Sequence, residues 1–216
     1  MITERHVTLD GSAGVALEAS LALPPGATAG VVVCHPHPLY GGDMDNPLVL
    51  DVRDACHHAG LATLRFNFRG TGRSTGRHDE GRGERDDVRT ALAALSEHLP
   101  ATGTLALAGY SFGAAMASSV AAAGEPLGGL ALIAPPFAAA AYRPPGPLPN
   151  VRGPVLVVAG SADEYCPASA LESLRTQWPK ADVRVIHGAD HFFGGHSAPL
   201  VEAIRTWAAA VASGRS

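Results

Sequence analysis

Short, unbroken apolar runs recur along this chain, and a stretch with helical character follows most of them. The runs occupy residues 30–34, 61–66, 104–109, 129–134, 154–159 and 182–186. Such runs are typical of strands that are buried on both faces of a parallel sheet. The sequence between them predicts helices over residues 47–59, 84–98, 112–123, 168–178 and 198–212. This alternation predicts an α/β fold with helices on both faces of the sheet.

The first part of the chain follows another pattern. Residues 3–9 and 15–23 alternate apolar and polar side chains around the turn Asp10-Gly11-Ser12, which indicates an antiparallel pair with one solvated face. The predicted sheet therefore has about eight strands and is mostly parallel, with an antiparallel N-terminal hairpin. We expect a single domain over residues 1–216, and a globule of this length needs no disulfide or metal to stabilise its core.

Composition argues against several kinds of partner. The chain has 16 Lys and Arg against 20 Asp and Glu, with no basic stripe, so we expect no nucleic-acid partner. Residues 99–124 are uncharged and long enough to cross a bilayer. They are rich in Ala, Gly and Ser, however, so we interpret them as a buried segment and expect no membrane partner.

The N terminus and the cysteines predict a cytoplasmic location. Glu4, Arg5 and Asp10 lie where a secretory signal needs an apolar run. The cysteines have no metal-site spacing and are interpreted as reduced thiols: Cys34, Cys56 and Cys166.

The sequence GYSFG places Ser111 between Gly109 and Gly113, directly after one predicted strand and directly before a helix. In this context G-x-S-x-G forms a nucleophile elbow, a strained turn that raises the serine hydroxyl above the sheet. Side chains at the two glycine positions would collide with the neighbouring helix and strand. The Phe112 N–H at the helix N terminus could face a developing oxyanion. By itself the pentapeptide fits a closely packed structural turn equally well.

Acid and base candidates follow two later strands. Asp163 and Glu164 come after residues 154–159, and His191 comes after residues 182–186. Because the carboxyl ends of parallel strands share one edge of a sheet, these side chains should lie near Ser111. The chain order Ser, Asp, His is that of a hydrolase triad.

With these motifs, the sequence resembles the α/β-hydrolases, in particular small bacterial serine hydrolases without a large cap domain. The resemblance covers nearly the whole chain. Its motifs are CHPHPLYGG (34–42), RFNFRGTGRS (65–74), AGYSFGA (108–114), GSADEYCP (160–167) and GADHFF (188–193).

The resemblance implies that Ser111 is the nucleophile, His191 the general base and acid, and Asp163 the residue that orients the imidazole. Other residues of the same loops compete for these roles: His187 and His196 with His191, and Glu164 and Asp190 with Asp163.

The oxyanion hole needs a second backbone donor from the loop that begins at His35. Its prolines cannot donate, and alignment with the family's His-Gly-X segment favours the N–H of His37, with Leu39 and Tyr40 as alternatives. The histidine pair could suggest a metal, but no third ligand is evident. We expect neither metal nor cofactor.

Residues 70–76 form a glycine-rich loop, which in other proteins can cradle phosphate. The loop lacks the G-K-[ST] of a nucleotide-binding P-loop, so we interpret it as a structural turn near the rim of the site. Arg69 and Arg73 are interpreted as solvated or paired surface charges, although either could favour an anionic substrate.

These features predict a lidless serine hydrolase that cleaves a small ester or related acyl bond through an acyl-enzyme. Residues 135–153 are too few for a cap domain, so we expect an open, shallow site and a preference for short acyl chains. The alternatives are a thioesterase, a dienelactone-hydrolase-like enzyme, whose family uses Cys where this chain has Ser111, and a non-catalytic binding module. The oligomeric state is left open.

Overall fold

From residue 29 onward, strands alternate with helices as the apolar runs predict, except that no α-helix is described between the strands at 130–133 and 155–160. The structure, a computed structural model, describes residues 2–139, 142 and 144–214. Residues 140, 141 and 143 of the predicted 135–153 loop, and residues 1, 215 and 216 of the predicted domain, lie outside the described residues.

Eight strands form one sheet in the order β1-β2-β4-β3-β5-β6-β7-β8. They are β1 (Glu4–Asp10), β2 (Ala16–Ala22), β3 (Ala29–Cys34), β4 (Ala62–Phe66), β5 (Thr104–Tyr110), β6 (Leu130–Ile133), β7 (Val155–Gly160) and β8 (Asp182–Ile186). Strand β2 pairs antiparallel with both β1 and β4, and all other pairs are parallel. The predicted mixed sheet with an antiparallel hairpin is therefore confirmed.

Helices cover both faces of this sheet. They are α1 (Pro47–His58), α2 (Arg82–Ser96), α3 (Phe112–Ala122), α4 (Ala168–Gln177) and α5 (Ser197–Ala212). Helix α2 begins two residues before the predicted start at Glu84. The reason is that Glu84 occupies the third helical position and accepts the N–H of the N-cap residue Gly81.

The sheet separates two apolar clusters. Val31 and Val33 of β3 pack on the side of α1 and α5, whereas Val32 and Cys34 pack on the side of α2, α3 and α4. Burial on both faces explains why the central strands are continuously apolar. None of the helices in the described ranges is both long and apolar enough to cross a membrane.

The register of the parallel strands brings four loops to one edge of the sheet. Cys34, the last residue of β3, pairs with Gly109 of β5, and Gly160 at the end of β7 pairs with Ile186 at the end of β8. The loops after β3, β5, β7 and β8 therefore leave the sheet on the same side, at its C-terminal edge.

Candidate active site

Ser111 lies in a strained turn between β5 and α3. Its backbone has φ 53° and ψ −116°, a conformation that L-residues rarely adopt. Its N–H donates to the carbonyl oxygen of Ile133 at 2.8 Å. A Cβ at Gly109 would overlap the backbone of Gly113, and a Cβ at Gly113 would overlap the carbonyl of Cys34. Both glycines therefore permit the close approach of strand and helix that holds the turn.

Three side chains from different loops form one hydrogen-bonded chain. His191 Nε2 lies 2.9 Å from Ser111 Oγ, and His191 Nδ1 lies 3.0 and 2.9 Å from the two carboxylate oxygens of Asp163. A carboxylate only accepts, so Nδ1 carries the proton and Nε2 accepts the bond from the serine hydroxyl. The structure thus joins Ser111, His191 and Asp163 in the arrangement that a serine nucleophile requires.

Backbone groups fix the carboxylate of Asp163. Its Oδ1 accepts the N–H groups of Tyr165 at 2.8 Å and of Cys166 at 3.1 Å. Burial, with a smaller effect of the nearby Asp163 charge, raises the pKa of the Cys166 thiol to about 12, so this thiol is not a competing nucleophile at neutral pH.

On the other side of the triad, Tyr110 Oη donates to the carbonyl of His191 at 3.1 Å. Burial keeps Tyr110 protonated by raising its pKa.

The competing side chains lie elsewhere. Glu164 and His187 are exposed. Asp190 Oδ1 accepts the N–H of Phe192 at 3.0 Å, and His196 Nδ1 donates to the carbonyl of Gly194 at 2.8 Å. The structure brings none of these four residues into the hydrogen-bonded chain.

The loop after β3 leaves one of its candidate donors free. The Leu39 N–H donates to His37 Nδ1 at 3.2 Å, and the Tyr40 N–H donates to the His37 carbonyl at 3.1 Å. Within the described residues, the N–H groups of His37 and Phe112 have no acceptor. Both residues line the pocket that contains Ser111.

His35, two residues before His37, anchors the same loop from inside. Its Nδ1 donates to the carbonyl of Pro36 at 2.6 Å, and its Nε2 accepts the N–H of Phe68 at 3.0 Å. Burial lowers the pKa of this ring to about 4, so it is neutral at pH 7. Across the described ranges, no three His, Cys, Asp or Glu side chains lie close enough to hold a metal ion.

A pocket of about 600 Å³ opens above Ser111. Its most prominent lining is aromatic: Tyr40, Tyr110, Phe112, Tyr142, Tyr165 and Phe192. Tyr40 is 86% exposed and Phe192 is 71% exposed, so the mouth of the pocket is open. Part of the predicted 135–153 loop nevertheless forms a wall, through Pro136, Ala139 and Tyr142.

Arg69 is paired, as one of the two expected alternatives has it, but it is buried rather than at the surface. Its guanidinium and backbone N–H bind the fully buried carboxylate of Asp87, with Arg69 Nη2 and Asp87 Oδ1 2.7 Å apart. A carboxylate buried at this position holds the arginine, so Arg69 is not free for an anionic substrate. Arg73 does lie at the surface, where its backbone N–H donates to Glu18 at 2.8 Å.

Sequence reasoning missed the aromatic walls. Tyr165 and Phe192 could have been identified from the sequence as part of the pocket wall, because each lies within two residues of a predicted triad member. No sequence feature identifies Tyr142 as a pocket residue, because a proline-rich segment without periodicity brings it to the pocket.

Comparison with known proteins agrees with this geometry. A family model described as an alpha/beta hydrolase domain matches residues 29–213. An uncharacterized protein of Rickettsia prowazekii is 32% identical in an alignment of 173 positions that covers 75% of this chain and 71% of that protein.

Two solved structures share both fold and sequence. An alpha-beta serine hydrolase homologue from Coxiella burnetii is 32% identical, with a TM-score of 0.84, over 95% of this chain and 98% of the other. A serine hydrolase without a lid from Xanthomonas campestris is 35% identical, with a TM-score of 0.79, over 94% and 92%. These similarities support a hydrolase activity, and the chain belongs to the α/β-hydrolase family.

Proposed function

We propose that this chain is a serine esterase that hydrolyses small carboxylic esters through an acyl-enzyme. The observation that carries the proposal is the continuous set of hydrogen bonds from Asp163 through His191 to Ser111. In this arrangement a neutral imidazole can take the serine proton while a buried carboxylate stabilises the imidazolium.

In acylation, Ser111 Oγ attacks the ester carbonyl carbon and its proton passes to His191 Nε2. The carbonyl oxygen becomes an oxyanion, which accepts hydrogen bonds from the unpaired N–H groups of Phe112 and His37. When the tetrahedral intermediate collapses, the carbon–oxygen bond to the leaving group breaks and Nε2–H protonates the departing alcohol.

In deacylation, His191 Nε2 removes a proton from water, and the resulting hydroxide attacks the acyl carbon. The bond to Ser111 Oγ then breaks, and the proton returns from Nε2 to the serine. The products of deacylation are a carboxylic acid and the free enzyme, and neither step uses a cofactor.

The aromatic walls support small, apolar substrate groups. The leaving group is protonated at His191, whose ring centroid lies 4.7 Å from that of Tyr165 and 5.4 Å from that of Phe192. It is therefore protonated beside these two rings. Because Tyr40 and Phe192 at the mouth are largely exposed, a long acyl chain would reach solvent and gain little further burial, so we expect the rate to peak at short acyl chains.

Covalent labelling is the first test. A fluorophosphonate probe should label wild-type protein at Ser111, and Ser111→Ala should abolish the labelling. Folded wild-type protein that fails to react would favour the non-catalytic binding module.

A substrate panel then tests the reaction class. We expect turnover of p-nitrophenyl esters to be highest for acetate and butyrate and lower for decanoate. A matched series of oxygen esters and thioesters with the same acyl group separates an esterase from a thioesterase. An optimum at decanoate would contradict the open-site argument, and hydrolysis of the thioesters alone would contradict the esterase.

A further inference from the structure

The ring of His37 shapes the loop that carries the proposed second oxyanion donor. His37 Nδ1 accepts the Leu39 N–H at 3.2 Å, and the His37 carbonyl accepts the N–H groups of Tyr40 and Gly42, each at 3.1 Å. These three bonds all end on one residue. The loop is therefore folded around His37, and the direction of the His37 N–H depends on them.

The same ring connects the loop to its surroundings. Its centroid lies 4.8 Å from that of Tyr40, 4.9 Å from that of Phe112 and 4.9 Å from that of His78. Phe112 is the residue whose N–H is the first proposed oxyanion donor. On the far side, Tyr142 Oη lies 3.4 Å from His37 Nε2. The ring thus lies between the elbow, the loop after β4 and the wall formed by Tyr142.

Only one protonation state of His37 fits these contacts. Nδ1 accepts a bond from a backbone N–H, so it carries no proton, and the proton of the neutral ring is on Nε2, which donates to Tyr142 Oη. Protonation at Nδ1 would place two N–H groups against each other and break the bond to Leu39.

The environment favours this neutral state. Burial lowers the pKa of His37, the adjacent His78 ring lowers it further, and the Glu84 charge acts in the opposite direction. Tyr40 and Tyr142 are the other titratable groups against the ring, and burial raises the pKa of Tyr142, which keeps it uncharged.

Glu84 and His78 form the support behind the ring. The Glu84 carboxylate is fully buried and accepts the N–H groups of Asp79 at 2.7 Å and Gly81 at 2.8 Å. His78 Nδ1 lies 2.8 Å from Glu84 Oε1. The start of α2 therefore lies directly behind His78, and the His78 ring packs, tilted by 46°, against the His37 ring.

We propose that the neutral side chain of His37 is a positioning residue for the oxyanion hole: its Nδ1 fixes the turn that directs the His37 N–H toward Ser111. The proposal rests on the esterase function proposed above. It assigns the His37 ring a role in catalysis that is separate from that of its own backbone donor.

Two variants separate hydrogen bonding from packing. In His37→Asn, the side-chain oxygen can accept the Leu39 N–H in an Asx turn, but the aromatic contacts are lost. In His37→Phe, the aromatic contacts are kept, but the acceptor is lost. We expect His37→Phe to lower kcat about tenfold to a hundredfold, with KM within about threefold of the wild-type value. His37→Asn should have a kcat about tenfold above that of His37→Phe.

The pH dependence adds a readout that a packing role would not change. Asn does not titrate, so the ratio of wild-type kcat to His37→Asn kcat should be constant near neutral pH and fall as the pH drops through the pKa of His37. Any pH dependence that the two proteins share cancels in this ratio. Thermal unfolding midpoints of both variants establish that each is folded under the assay conditions.

A spectroscopic measurement tests the proposal without any turnover. In ¹⁵N-histidine-labelled wild-type protein at pH 7, NMR should show His37 as the tautomer with the proton on Nε2. The Nδ1–H tautomer, or a kcat for His37→Phe equal to or above that for His37→Asn, would overturn the proposal. Wild-type protein that neither labels nor turns over would instead reject the esterase function, and the tautomer would still test the hydrogen bond on which the positioning role depends.

Discussion

The two flanks of Ser111 are built in different ways. On one flank, side chains carry the chemistry: the imidazole of His191 contacts the hydroxyl, and the carboxylate of Asp163 contacts the imidazole. On the other flank, the proposed donors are backbone N–H groups, and the side chain of His37 shapes the loop that presents one of them. A side chain can be replaced to test its chemistry, whereas a backbone donor is reached only by removing the N–H itself.

The largest loss of kcat is expected from a substitution on the side-chain flank. Asp163→Asn preserves volume, and the Tyr165 and Cys166 N–H groups would keep the amide oxygen where Oδ1 now lies. The amide nitrogen would then donate to His191 Nδ1 and force the proton to Nε2, the wrong tautomer for accepting the serine proton. We expect kcat to fall by as much as about 10⁴, measured with p-nitrophenyl acetate.

Two neighbouring acids serve as controls for this variant. Glu164 is exposed, and the Asp190 carboxylate accepts the Phe192 N–H within its own loop. Glu164→Gln and Asp190→Asn should therefore retain near wild-type turnover. Loss of activity in either one, together with an active Asp163→Asn, would show that the acid has been misplaced.

An intermediate loss of kcat is expected when a backbone donor is removed on the other flank. His37 has φ −58°, which proline can adopt, so His37→Pro removes the N–H without requiring a change of φ at this position. The matched variant is His37→Ala, which also lacks the ring but keeps the donor. If the His37 N–H binds the oxyanion, kcat of the proline variant should be about 10² to 10³ below that of wild-type protein and lower than that of the alanine variant, which loses only the positioning by the ring. Equal kcat values in two folded variants would exclude this donor.

The smallest expected effect is on stability, and it comes from His35, which lies in the same loop as His37. The folded state keeps the His35 ring neutral, with a pKa lowered from 6.5 to about 4 by burial. The unfolded ring binds a proton below about pH 6.5. The contribution of the neutral His35 ring to the free energy of unfolding is therefore complete above that pH and is lost as the pH falls toward 4. The expected loss is about 3 kcal/mol.

Urea unfolding at several pH values checks this expectation. The acid-dependent loss should be smaller in His35→Gln than in wild-type protein. His187→Gln, which changes an exposed histidine, should keep the wild-type pH dependence. A His35→Gln variant with an unchanged pH profile would contradict the assignment of a neutral, buried His35.

Much of the fold could be predicted from local patterns. The predicted strand boundaries agree with the structure to within one residue, because strands buried on both faces must be continuously apolar and end where polar loops begin. The elbow at Ser111 could be predicted because its two glycines permit a backbone approach that side chains would block. Chain order then placed the Asp163 and His191 loops on the same edge of the sheet.

Contacts between loops could not be predicted in this way. The sequence predicts a solvated or paired surface charge at Arg69; the arginine is paired, but it is buried, because it binds the buried Asp87. Nothing in the local sequence distinguishes an arginine that faces solvent from one that faces a carboxylate in the following helix.

The amino-acid sequence by itself determined the order of the elements, the strained serine turn and the chemical types available at the sheet edge. These depend on periodicity, glycine spacing and strand direction, which are local or follow from chain order. Only the tertiary structure decided which backbone N–H groups stay unpaired, which histidine of the loop after β3 is buried, and how His78 and Glu84 come to lie behind His37. Such pairings depend on how loops that are distant in sequence pack together, and no short segment carries that information.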